Sequence, residues 1–426
     1  MTTLAEPAED LLARRARLLG PSYRLFYDAP VHLVRGERVW LWDADGNRYL
    51  DMYNNVPCVG HCHPRVVEAL SRAAATLNTH TRYLHEGVLA LAETLLATMP
   101  REIGNVMFTC TGSEANDLAI RVAKSATGGT GVIVTSNAYH GVTETIAGMS
   151  PSLGAGVPLG AGVYTVPAPP ADRDGVDVAE TFADGVRAAL ARMAQDGVRP
   201  AALLVDDIFS SDGVFFDPPG FLAPAVEAVR AAGGIYIADE VQPGFGRTGV
   251  MWGFTQHGLV PDLITMGKPM GNGHPIAAMA ARPALLEAFG RQARYFNTFG
   301  GNTVSTAVAK TVLDVIADER LAENAAVQGA YLRQGLKRLA QRHALLGDIR
   351  GAGLFLGLEI VSDRATHAPA AAETKLIVNG LRNRGVLIGS AGPQANVLKV
   401  RPPLPLRQEE ADFFLSALDE TLAAVS

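Results

Sequence analysis

The stretch GGIYIADEVQPGFGRTG, residues 233–249, opens as an apolar, β-branched run and ends on two adjacent carboxylates, Asp239 and Glu240. So short an apolar run predicts a buried strand. An ionised carboxylate at the end of a core strand is costly unless a cation or a strong donor meets it. The stretch therefore demands a partner from elsewhere in the chain.

Similar runs recur on both sides of it: NVMFTC (105–110), GVIVTS (131–136), AALLVDD (201–207) and DLITMG (262–267). Helical patterns such as PRVVEALSRAAATL (64–77) and SEANDLAIRVAKSA (113–126) alternate with them. Strands separated by helices predict an α/β fold with a mostly parallel, doubly wound sheet covered on both faces. Upstream, HLVRGERVWLWDADGNRYLDMY (32–53) reads as short antiparallel strands around Asp45-Gly46-Asn47, after a helix near the N-terminus. Downstream, two amphipathic helices (304–321 and 324–343) lead into a strand-rich unit, DIRGAGLFLGLEIV, GVLIGS and NVLKVRPPL, and a last helix. VPAPPADRDG (166–175) reads as a Pro-rich surface connector. We expect a large domain at 61–315, flanked by segments 1–60 and 316–426 that pack together as a smaller α/β domain.

The 426 residues allow a large core in two or three domain-sized units. A 48% hydrophobic and 19% charged composition is that of an ordinary globular chain. A net charge of −6 without dense Lys/Arg runs argues against nucleic acid and against a polybasic membrane anchor. No apolar stretch is long enough to span a bilayer, and the first residues lack a signal core, so the expected location is cytoplasmic and the expected ligands are small. Three cysteines are too few for a disulfide framework. Cys58, His61, Cys62 and His63 stand too close together to converge on one tetrahedral ion, so no metal is expected.

In open α/β sheets ligands bind outside the carboxyl ends of the strands. Those ends carry TGSEAND (111–117), SNAYHG (136–141), DDIFSSDG (206–213), DEVQ (239–242) and GKPMGNG (267–273). Three common motifs fail here. The Gly-Lys pair at 267–268 has Pro269 where a phosphate loop needs Ser or Thr. GAGLFLG (351–357) runs into a strand instead of opening a helix. Ser113 is preceded by Thr111-Gly112, without the Gly-x-Ser-x-Gly frame of a hydrolase elbow. What survives is Gly112-Ser113 at a helix N-terminus for a phosphate, aromatic Tyr139, the acid Asp239 and Lys268 on a Gly-rich turn. Pyridoxal phosphate uses all four: the lysine for a Schiff base, the acid for the pyridine nitrogen and the aromatic ring for stacking. Asp239 would then face a pyridinium.

With TGSEANDLA, AYHG, IADEVQPGFGRTG, ITMGKPMGNG and FNTFGGN in this order, the sequence resembles the class III aminotransferases, of fold type I among pyridoxal phosphate enzymes, over nearly its whole length. The resemblance implies that Lys268 carries the cofactor and Asp239 contacts its ring nitrogen. It places Val241 on the ring face opposite Tyr139, Gln242 near the phenolic oxygen, and Gly112 and Ser113 on the phosphate, with His140 among the cofactor residues. It also implies a homodimer with the active site at the interface, where Thr298 reaches the partner subunit's phosphate. By contrast, Glu240 should point away from the cofactor by strand alternation, and Arg247 reads as part of a structural turn.

The family's usual Glu-Pro pair is replaced by Asp206-Asp207, Ser211 stands where many members carry a second glutamate, and Lys399 stands where carboxylate-gripping members place arginine. A lysine offers a point charge without arginine's planar fork. Together with Arg82 and Arg401 it would form a cationic pocket for a substrate phosphate or a keto-acid carboxylate. The family's commonest chemistry makes the first expectation an aminotransferase that moves an amino group from an amine or ω-amino acid to a keto acid or aldehyde through Lys268. NNVPCVGHCHP, LNTHTRYLH, GKPMGNGHP and GPQANVLKVRPP look like the branch with ethanolamine-phosphate and phosphohydroxylysine phospho-lyases, so elimination of phosphate is the alternative. A cofactor-binding regulator without turnover is the third reading.

Overall fold

The structure, a computed structural model, describes residues 8–425. A seven-stranded sheet runs in the order Asn105–Thr109, Ala277–Ala281, Leu263–Met266, Ile235–Asp239, Pro200–Val205, Gly131–Thr135 and Val163–Val166. Ala277–Ala281 is antiparallel to both neighbours, and every other pairing is parallel. The five runs read as strands all form, and their carboxyl ends gather at one edge. Two strands were not anticipated. Val163–Val166 follows a Gly-rich loop, and Ala277–Ala281 (AAMAA) is a composition with high helix propensity that pairing on both sides overrides.

Alternation along each strand feeds two cores, as a doubly wound sheet requires. Val132 and Val134 pack with Leu118, Ile120 and Val122 of helix Gly112–Thr127, whereas Ile133 packs with Phe182, Val186 and Met193 of helix Val178–Gln195. Full burial of each such aliphatic side chain contributes roughly 1.5–3 kcal/mol.

The chain's two ends meet in a smaller sheet, where Val386–Leu387 adds in parallel to Arg48–Asp51, beyond Trp40–Asp43 and Leu33–Glu37. The N-terminal helix is found at Ala8–Leu19. A second, antiparallel sheet joins Leu346–Ala352, Phe355–Asp363, Val397–Val400 and Gly389–Ala391. Arg247, buried within the GRTG turn, donates to the carbonyls of Leu354 and Pro402 and so ties these C-terminal strands to the large sheet. The last residues of strand Val397–Val400 and Arg401 are thereby held against the strand ends that carry the unusual motifs.

Candidate active site

A cleft of about 150 Å³ opens at the carboxyl edge of the sheet, lined by Gly112, Ser113, Tyr139, His140, Gly141, Asp206, Asp239, Val241, Gln242 and Lys268. Eight of these are residues the sequence singled out; Gly141 and Asp206 join them.

Each element delivers its residue for a local reason. Helix Gly112–Thr127 starts with a capping box, in which Thr111 accepts from the Glu114 amide and Glu114 reaches back to the Thr111 amide. The box leaves the first amides of the helix directed out of its end, where an anion finds free donors and the positive end of the helix dipole. Glycine is needed at two places on this wall. A Cβ on Gly112 would lie 2.9 Å from Val241 Cγ2, and one on Gly141, at φ +141°, would lie 2.4 Å from Ser113 Oγ. Lys268 follows Gly267 and adopts φ +32°, a conformation uncommon for a residue with a side chain.

The partner that the opening stretch demanded is a set of donors. Asp239 Oδ2 accepts from Asn116 Nδ2 at 3.0 Å and faces His140 Nδ1 at 2.7 Å, while Oδ1 accepts from the Val241 amide at 3.1 Å. Asn116 is fixed in turn: its Oδ1 accepts from Thr265 at 2.6 Å and its Nδ2 also reaches the His140 carbonyl at 2.8 Å. Oδ1 of Asp239 keeps a free lone pair for a further cation. Asn116 was not singled out by the sequence, although a polar residue one turn into an apolar helix face was the available sign of it.

A second network enters from the C-terminal strands. Arg401 donates to the Tyr53 carbonyl at 2.9 Å and to Gln242 Oε1; Gln242 donates to Ser210 Oγ, which donates to Asp206 Oδ2. Burial, then the Asp239 charge, hold the Asp206 carboxyl above the usual range. Lys399 is buried beside this group; its side chain has no hydrogen bond among the described residues. Burial first, then Arg401, hold its amine well below the usual lysine value, with Asp206 and Asp212 opposing and Lys268 adding to the effect. The Lys268 amine is lowered to about 8, by burial and then by Arg401, against the pull of Asp239 and Asp206.

Arg82 is not part of this cluster in the single chain. It is exposed and lies over the Phe296 ring at 3.9 Å. Thr298 is exposed too, and Tyr139 keeps 37% of its surface. Glu240 turns away from the cleft to accept from the amides of Gly253 (2.9 Å) and Phe254 (2.8 Å). His61 meets Asp51 at 2.8 Å and His63 meets Glu319 at 3.0 Å. Elsewhere Asp348, Glu359 and His367 bring possible metal-ligating atoms within 4.8 Å of one another, but Arg173 already pairs with both carboxylates.

Residues 26–422 match the family Aminotransferase class-III. The chain belongs to the class III aminotransferases. It is 38% identical to the alanine–glyoxylate aminotransferase 2-like protein of Drosophila melanogaster, over 96% of this chain and 86% of that one. It is 36% identical to the ethanolamine-phosphate phospho-lyase homolog 1 of Caenorhabditis elegans, over 98% and 94%. Among solved structures, a phospholyase from Arthrobacter in complex with phosphoethanolamine superposes with a TM-score of 0.94 at 44% identity, covering 97% of this chain and all of that one.

The chain is thus an enzyme of the aminotransferase family, which acts on small amine and keto-acid substrates, and its cofactor is pyridoxal phosphate. The residues present suit that group. The end of a capped helix suits a phosphate, the remaining lone pair of Asp239 suits a protonated ring nitrogen, and an amine lowered to about 8 has a useful neutral fraction at physiological pH for meeting an aldehyde. Among the described residues no helix is long and apolar enough to cross a membrane.

Proposed function

We propose that this enzyme eliminates phosphate from a small amino phosphate of the phosphoethanolamine kind. The observation that carries the reading is Lys399, a buried amine whose side chain has no hydrogen bond to a described residue, set among the charges of Arg401, Asp206 and Lys268 next to the lining of the cleft. A doubly charged phosphate suits a lysine point charge beside the Arg401 guanidinium, whereas a second arginine fork at position 399 would suit a planar carboxylate. The likeness to a phosphoethanolamine-bound phospholyase supports the same choice.

Pyridoxal phosphate would supply an aldehyde for amine exchange and a ring that accepts electrons. Gly112 and Ser113 would hold its phosphate, Tyr139 and Val241 would flank its ring, and Gln242 and His140 would support the edges. Asp239 would keep the ring nitrogen charged, with Asn116 and His140 fixing the carboxylate. Lys268 would hold the cofactor at rest. Once displaced by substrate, it is placed to take the proton from the amine-bearing carbon. The C–O bond on the next carbon then breaks, and phosphate leaves toward Lys399 and Arg401. Phosphoethanolamine and water become acetaldehyde, ammonia and inorganic phosphate, with no net oxidation.

Amino transfer to a keto acid or aldehyde is the second reading, favoured by the likeness to the alanine–glyoxylate aminotransferase 2-like protein. The two separate in one experiment. Holoenzyme is mixed with phosphoethanolamine and, separately, with amine donors, while phosphate and the cofactor's aldehyde absorbance are followed. Phosphate release with the absorbance retained supports elimination; stoichiometric loss of the absorbance without phosphate supports transfer. A cofactor-bound chain inert to every amine would return the regulator reading.

The working unit in this reading is a homodimer. Leu84, Phe299 and Tyr83 are 101%, 69% and 67% exposed beside Arg82 and Thr298, an apolar rim that a second copy would cover. Thr298, and Arg82 with it, would then serve the partner subunit's cleft. A cytoplasmic location belongs to the same reading, although three relatives carry "mitochondrial" in their names; cell fractionation decides it.

A further inference from the structure

Behind the cleft, a second pair of carboxyls is buried, with no cation bound to it among the described residues. Asp206 and Asp239 line the cleft; their immediate neighbours, Asp207 and Glu240, turn to the other side and are completely buried there. Asp207 Oδ1 accepts from the Tyr236 hydroxyl and its Oδ2 has no donor among the described residues; the parallel register that sets Val205 beside Ala238 brings Asp207 beside Glu240 two residues further on, both on the face away from the cleft. Glu240 is the fixed member, since both its oxygens accept backbone amides, from Gly253 and Phe254. Two carboxylates cannot face each other in a dry interior unless a proton lies between them.

We propose that Asp207 and Glu240 are a positioning pair that shares one proton and locks the ends of strands Pro200–Val205 and Ile235–Asp239 together, so that Asp206 and Asp239 are presented to the cleft. The usual members of the family, with Pro at the position of Asp207, could not form this pair.

The groups around it leave the proton no other source of balance. Tyr236 donates from the neighbouring strand, and Asp206 adds negative charge from the same turn. His257, on the short helix Gly253–His257, receives the Gly220 amide at Nδ1 (3.3 Å) and donates from Nε2 to the Asp207 carbonyl (3.1 Å), an arrangement of the neutral ring. Arg230 acts on Tyr236 but is bound to Asp262. Burial first, then the Glu240 charge, hold Asp207 well above the usual carboxyl range, and Glu240 itself is raised to about 7.

The sign follows from linkage. A carboxyl that keeps its proton when folded binds more protons than the unfolded chain above about pH 4, so its contribution to stability falls as pH rises toward the folded value. Asp207→Asn removes this loss, because an amide supplies a permanent donor to Glu240 and still accepts from Tyr236. The inference assumes that the cleft is the catalytic one; its first arm does not depend on what the cleft binds.

In that arm, thermal midpoints of cofactor-free wild type and Asp207→Asn are compared from pH 5 to pH 9. The variant should gain several degrees over wild type at the alkaline end and little at pH 5. In the second arm, on holoenzyme, Asp207→Asn should keep kcat within about threefold at pH 7 and move its alkaline limb upward, while Glu240→Gln in the Asp207→Asn background, two amides facing each other, should lower kcat more than it raises KM. Parallel pH dependences of the midpoint would show that no proton is shared. A changed stability profile with an unmoved kcat limb would reduce the pair to packing. Either result overturns the proposal.

Discussion

The two networks at the cleft are built on opposite terms. Around Asp239, Asn116, His140, Thr265 and the Val241 amide answer one another within the core of the large sheet. Around Lys399 and Arg401, positive charge is concentrated, the Lys399 side chain has no hydrogen bond among the described residues, and the groups arrive on strands from the chain's far end. A closed network can hold a cofactor in one pose through every turnover. An open, charged one is completed only when an anionic substrate enters, and its cost is borne by the folded protein. The first region carries the motifs by which the chain resembles its family.

Substitutions can break the closed network outright. Lys268→Ala should abolish turnover, since no other lysine is among the residues that line the cleft. Borohydride reduction of holoenzyme and peptide mapping should label Lys268, and a label on Lys399 would exchange the roles of the two regions. Asp239→Asn should cost on the order of 10³-fold in kcat, as a fixed charge is lost where the reaction develops its own. It should also lower the thermal midpoint, because His140 loses its anionic partner. Near-normal kcat would mean that the carboxylate serves only the Asn116–His140 network.

How far each region could be read in advance follows the same division. Strand ends, Gly112-Ser113, Asp239 and Lys268 are local words: an apolar run closed by acid, a capped helix, a lysine between glycine and proline. They bring their own geometry, and all of them line one cleft. Asn116 and Asp206 were harder, because a buried polar residue shows its purpose only through partners 123 and 4 residues away. Strand Ala277–Ala281 was illegible for a related reason: nothing in five alanine and methionine residues says strand until Leu263–Met266 and Asn105–Thr109 stand on either side. Lys399 and Arg401 were visible as a pair but Arg82 was grouped with them on charge alone, and in one chain it stands apart on Phe296. The order of the two reactions changed with that knowledge. Family frequency put amino transfer first, whereas the burial of Lys399 favours phosphate.

The open network should respond to substitution with the opposite sign in stability. Lys399→Met removes a buried amine while keeping most of its volume, so the thermal midpoint should rise. The gain should be largest at low pH, where folded and unfolded states both carry the proton, and shrink as pH rises toward the unfolded lysine value of about 10.4. Function should move the other way, with KM for phosphoethanolamine up roughly 10- to 100-fold, the worth of one charge-assisted contact. Lys399→Arg should weaken phosphate elimination and improve amino transfer from carboxylate-bearing donors. A variant that lost stability without a change in KM would place Lys399 in the closed class.

The smallest expected effect tests where the closed network ends. If Thr298 reaches a second chain's cofactor phosphate, Thr298→Ala removes one hydroxyl donor to a doubly charged group, and cofactor affinity should drop about tenfold, toward the low end for such bonds. Cofactor binding and dimer formation would then share free energy, so stripping the cofactor should weaken the dimer as well. A mixed dimer separates this from a local effect. One subunit carries Lys268→Ala and keeps Thr298; the other carries Thr298→Ala and keeps Lys268. The site bearing Lys268 takes its threonine from the other chain and should titrate with cofactor like wild type. If it binds as weakly as the Thr298→Ala homodimer, Thr298 serves its own subunit and the cleft is complete within one chain.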